Sequence, residues 1–150
     1  MAGLYYEEFE LGMEFKHSLT RTVTEMDNIM FCAMTHNPQP LHLDEEFAKG
    51  TEYGQRIVNS LFTLGLIIGV SVGETTLGTT LGNLGMTDVR FSKPVFHGDT
   101  LRAVTQVKEM RESKSRPGAG LVTFEHFGFN QRSEEVAYCV RTGLMMKRLS

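Results

Sequence analysis

SLFTLGLIIGVSVG, residues 60–73, is apolar almost all round, which predicts a helix buried on most of its sides. Thr63, Gly65, Gly69 and Ser71 interrupt the run from Leu61 to Val72, which is well short of the roughly 20 residues needed to cross a bilayer, so the segment reads as a core helix. Gly65, Gly69 and Gly73 fall on one face at i, i+4 and i+8. Each weakens the helix by about 1 kcal/mol relative to alanine, and the stripe therefore predicts close approach of another backbone layer.

Beyond Gly82 the period shifts to that of strands, with alternation such as Leu101, Ala103, Thr105, Val107 and Leu121, Thr123, Glu125, Phe127. Turn signals divide this region at His97–Asp99, Arg116–Gly120 and Gln131–Glu135. Upstream, EFKHSLTRTVT reads as an early strand. TEMDNIMFCAMT then places Met26, Ile29, Met30, Ala33 and Met34 at helical spacing behind a Thr24/Asp27 capping box. Three long strands after one buried helix predict an α+β domain over 1–150, an antiparallel sheet wrapped around a central helix.

HNPQPLHLD, residues 36–44, separates the two helices. Pro38 and Pro40 disfavour helix before them and predict a rigid, extended loop ending at Asp44, which caps a short helix EEFAKG closed by Gly50. A stiff backbone is what holds a general acid or base within reach of one proton, so His42 reads either as the leading catalytic candidate or as a solvated turn residue. Asn37 and Gln39 offer amides to orient water, and Asp44 either fixes the imidazole tautomer or caps. His17, His97 and His126 read as surface or strand residues. His36 and His42 lack a third metal ligand, so no metal is expected. Neither GxSxG nor a phosphate-binding loop is present. Ser60, where the long helix starts, offers a backbone N–H able to stabilise an oxyanion, or an ordinary N-cap.

The formal charge of −3, with both signs interleaved, argues against nucleic acid or an anionic membrane as partner. Cys32 and Cys139 lie in apolar patterns and read as buried thiols, which with no visible export signal in MAGLYYEEFELG predicts a reducing, cytoplasmic setting.

HNPQPLHLDEEFAKGTEYGQRIVNSLFTLGL and VRFSKPVFHGDTL, in this order around the long helix, resemble the signatures of the MaoC-like, (R)-specific enoyl-CoA hydratase family. The resemblance implies a hotdog fold, a homodimer with a continuous sheet and interfacial sites, and reversible hydration of an enoyl-CoA with no cofactor beyond the substrate's CoA. It sets the family's histidine on His42, its aspartate on Asn37, its asparagine on Gln39 and its helix-start glycine on Ser60, with Asn59 where a histidine is common. An amide at Asn37 cannot take a proton at neutral pH but can hold a water. The altered loop fits the branch acting on branched dicarboxylic substrates, mesaconyl-CoA or itaconyl-CoA, whose second carboxylate Arg56 or Arg90 would meet. Lys93, Arg111, Lys114 and Arg116 are candidates for the CoA phosphates by charge alone. A hotdog thioesterase and a non-catalytic acyl-CoA-binding subunit are the competing readings.

Overall fold

The computed structural model describes residues 3–148. After a 3-10 turn at Tyr6–Glu8 come β1 (Glu14–Lys16), β2 (Arg21–Thr22), α1 (Glu25–Met34), α2 (Pro40–Leu43), α3 (Glu45–Lys49) and α4 (Ser60–Thr75). Then follow β3 (Thr80–Arg90), β4 (Thr100–Glu112), β5 (Ala119–Phe129) and β6 (Glu135–Met146). The sheet runs β1-β4-β5-β6-β3, antiparallel throughout, with β2 on β4. The sheet and the helix it wraps are therefore those expected. Four long strands follow α4 rather than three, because Thr80–Arg90 pairs along β6 despite its glycines, with register shifts at Thr80/Gly82 and Asn83/Gly85. The expected single early strand is instead two short pieces.

On the concave face, Leu64, Ile67 and Val70 of α4 pack in one apolar cluster with Leu101, Ala103 and Cys139. A second cluster holds Phe9, Val107, Val122, Phe124 and Met145. A polar layer lies between them, since Thr105 separates Ala103 from Val107 along β4 and Arg141 separates Cys139 from Met145 along β6. Arg141 Nε donates to His126 Nε2 at 3.0 Å. His126 Nδ1–H must then donate to Thr105 Oγ1 (3.0 Å), whose hydroxyl proton faces His17 Nε2 (2.9 Å), and His17 Nδ1 reaches Glu74 at 2.6 Å. Burial first, then the charges of Arg141 and His17, pull the His126 imidazole down to about 3. His126 is a strand residue of β5, as read, but both it and His17 are buried in the core rather than on the surface. A histidine in an alternating strand carries no mark of which face is covered.

The amphipathic reading of α1 is also corrected. In α1 the methionine face points out, with Met26 and Met34 each 69% exposed, while Asn28 and Cys32 are fully buried. Along α4, Leu61, Gly65, Gly69 and Gly73 are exposed, and apart from the helix's own backbone nothing lies within 4 Å of where a side chain would begin at any of the three glycines. This chain does not supply the close backbone layer that the stripe predicts. At the sheet edge, β3 is exposed over nearly its whole length, showing Leu81, Leu84, Met86 and Val89.

Candidate functional site

The loop is built by its helix ends. Thr24 and Asp27 form the expected capping box at the start of α1. At its close, Asn37 N–H reaches back to Cys32 O at 2.9 Å, with His36 in the left-handed region at φ 55°. Asn37 Oδ1 then accepts Gln39 N–H at 3.0 Å, an Asx turn that leads into Pro40. Pro40 starts a one-turn helix where no N–H is needed, so PLHL is helical rather than extended as its prolines predict. Asp44 caps α3 by accepting Phe47 N–H at 3.0 Å and takes no part in setting the imidazole.

His42 rides on this one-turn helix, half-buried, with Nδ1 2.8 Å from Ile57 O. A carbonyl only accepts, so Nδ1 carries the proton and the neutral ring presents an Nε2 lone pair, the form a general base needs. Ile57 lies three residues before α4, so the imidazole is tied to the segment that starts the helix. Ser60 is the first helical residue, and its neighbour Asn59 is the N-cap, accepting Leu61 N–H at 3.0 Å. Asn59 N–H is taken by Asn28 Oδ1. Between these two occupied donors, Ser60 N–H makes no hydrogen bond among the described residues and retains the helix-start dipole.

A cavity of about 220 Å³ opens at this helix start, lined by Tyr53, Ile57, Ser60, Thr63, Phe91 and Lys93 among others. Thr63 Oγ1 is buried without a partner. Sequence reading missed Thr63 because a threonine one turn into an apolar helix looks like filler.

The other expected residues divide. Gln39 is exposed and enters through its backbone N–H alone. Arg56 is committed to Glu45 (2.7 Å) and Glu25 (2.8 Å), whose hydrogen bonds raise its guanidinium pKa further. Arg90 lies 4.1 Å over the Tyr138 ring. Lys93 pairs with Glu134 at 2.7 Å. Arg111, Lys114 and Arg116 converge on a separate groove with Leu84, Leu121 and Leu144. Cys32 and Cys139 are buried free thiols, as expected, and burial pushes Cys139 up to about 11. Among the described residues no three His, Cys, Asp or Glu side chains gather as a metal site, and no helix is long and apolar enough to cross a membrane.

The family description "MaoC like domain" matches residues 8–128, which include the loop, the whole of α4 and the strands from β1 to β4 with nearly all of β5. The chain belongs to the MaoC-like family. It is 33% identical over 147 residues to a mesaconyl-CoA hydratase of Cereibacter sphaeroides, covering 98% of this chain and 42% of that protein. The chain thus spans less than half the length of that relative. Among solved structures, a putative MaoC domain protein dehydratase of Chloroflexus aurantiacus superposes with a TM-score of 0.91 at 28% identity, over 98% of this chain and 41% of that one. A Mycobacterium tuberculosis protein described as a double hotdog fold superposes at 0.86 with 20% identity, over 97% of this chain and 45% of that one. That match bears on the fold alone: this MaoC-like chain has the hotdog architecture.

Proposed function

We propose that this MaoC-like chain adds water to, and removes it from, the α,β-double bond of an enoyl-CoA. The observation that carries the reading is the Nδ1 contact of His42 with Ile57 O, which puts the proton of the neutral ring on Nδ1 and makes Nε2 the nitrogen that can act as base. His42 Nε2 takes a proton from water as its oxygen attacks the β-carbon, and electrons move through the double bond onto the thioester oxygen. Ser60 N–H and the α4 dipole stabilise that enolate oxygen. Asn37 holds the water with the second lone pair of the amide oxygen that its turn leaves over, or with its N–H₂ group. With His42 as the single group assigned to proton transfer, the proton taken from water is the one returned to the α-carbon, so water adds to a single face. The proposed steps use no cofactor other than the CoA of the substrate.

The substrate class we infer is a branched dicarboxylic enoyl-CoA such as mesaconyl- or itaconyl-CoA. The similarity to a mesaconyl-CoA hydratase supports this, as do Ser60, Thr63 and Lys93 around the helix-start cavity. With Arg56 held by two carboxylates, the buried and unpartnered Thr63 hydroxyl takes over its expected role toward the second carboxylate. The working form is a homodimer joined through the β3 edge and the glycine face of α4. A long, exposed apolar edge strand needs cover, and three helix glycines with open space above them admit a partner backbone. Two buried free thiols support a cytoplasmic setting.

Crotonyl- and mesaconyl-CoA, both conjugated thioesters, incubated with the protein separate the reactions. Loss of the conjugated thioester absorbance without release of free thiol supports hydration. Thiol release would instead make the chain a thioesterase, and CoA binding with neither signal would make it a binding subunit.

A further inference from the structure

The side chain of Asn28, a fully buried residue of α1, lies between the two halves of the proposed site. Its Nδ2 is 3.1 Å from Ile57 O, 3.0 Å from His97 Nε2 and 3.3 Å from His42 O. Its Oδ1 accepts Asn59 N–H at 2.9 Å, with the Cys32 thiol at 3.9 Å. The network decides the amide's orientation, since a flip would set oxygen against two carbonyl oxygens and N–H₂ against an N–H. Two hydrogens serve three acceptors, so the long contact to His42 O is a shared one. Ile57 O therefore spends one lone pair on His42 Nδ1–H and the other on Asn28. The same amide holds the N–H of the residue before Ser60.

We propose that Asn28 is a positioning residue which sets the His42 imidazole and the Ser60 N–H in register with each other. The aim of the imidazole depends on the direction of the Ile57 carbonyl, and the aim of Ser60 N–H on the backbone at Asn59. One rigid amide fixes both from a third element. A leucine would fill the space without directing either group. The inference rests on the hydratase reading for its catalytic meaning, while its geometric content concerns His42 directly.

Two variants and two readouts test it. Asn28→Asp is isosteric and keeps the acceptor for Asn59 N–H but removes both donors; Asn28→Leu removes everything. Thermal melts establish that each folds, and where the leucine variant does not, the isosteric one decides. In the folded variants kcat toward mesaconyl- or crotonyl-CoA is expected to fall about 10- to 100-fold, as misplacing a reacting group by about 1 Å does, with KM changed less than about threefold. In ¹⁵N NMR, the His42 ring of the wild type gives the pattern of an Nδ1–H imidazole, and the variants give a mixture of tautomers. A folded Asn28→Asp protein with wild-type His42 ring shifts and wild-type kcat would overturn the proposal and leave Asn28 as core filling. A wild type that hydrates nothing would overturn the activity reading, and the ring shifts would still decide whether Asn28 sets His42.

Discussion

Acidification should destabilise this protein through His126 well before its carboxylates titrate. The imidazole is fully buried, accepts from Arg141 and has its pKa drawn from an ordinary 6.5 down to about 3. Because the folded value lies below the unfolded one, the unfolded chain binds the extra proton. Stability from this group is complete above about pH 6.5 and drains away as the pH falls toward 3. Each pH unit inside that window costs about 1.4 kcal/mol, so acidifying from about pH 7 to about pH 5 removes about 2 kcal/mol. The assay is urea unfolding at both pH values and one protein concentration, for wild type and His126→Gln. The glutamine variant is expected to start less stable, since it disturbs the Thr105 and Arg141 contacts, but to lose about 2 kcal/mol less on acidification. His97, whose pKa burial and then Arg56 lower, contributes equally to both proteins and cancels. Equal losses in the two would show that His126 is protonated in the folded state and that the polar layer is charged.

Three further outcomes follow from local geometry. His36→Gly relieves a left-handed backbone at φ 55° and should raise stability by about 1 kcal/mol, read from the shift in the urea midpoint. Gly128→Ala puts a methyl 2.6 Å from Ile67 Cγ2, where α4 meets β5, and should cost about 1–3 kcal/mol in the same assay. Gly69→Gln gains about 1 kcal/mol of helix propensity in open space, so a monomer would be stabilised. If α4 meets a second copy there, sedimentation will instead show the dimer weakened, and a variant that stays dimeric would move the interface elsewhere.

Much of the fold was legible because α4 and the strands are long and strongly periodic, and the turn at Arg116–Gly120 falls between β4 and β5 as marked. What escaped depends on which face tertiary contacts cover. The methionines of α1 outscore Asn28 on any hydrophobic scale, yet the amide is inside because it satisfies three backbone groups at once. The relay of His17, Thr105 and His126 joins the residue after β1 to β4 and β5, segments far apart in the chain, which spacing cannot reveal. His42 stood out as a candidate because of the prolines around it, but neither the one-turn helix that carries it nor its tautomer was legible, since the tautomer depends on a carbonyl fifteen residues away. Ser60 was correctly placed at the helix start, one residue inside the true cap Asn59.

The central claim is that His42 Nε2 moves the proton in hydration. Its most direct test follows the conjugated thioester absorbance of mesaconyl-CoA with wild type and with a folded His42→Ala protein. A wild type that consumes the conjugated thioester without freeing thiol, and a variant at least about 100-fold slower, is the result expected of a general base. A His42→Ala protein hydrating at the wild-type rate would contradict it.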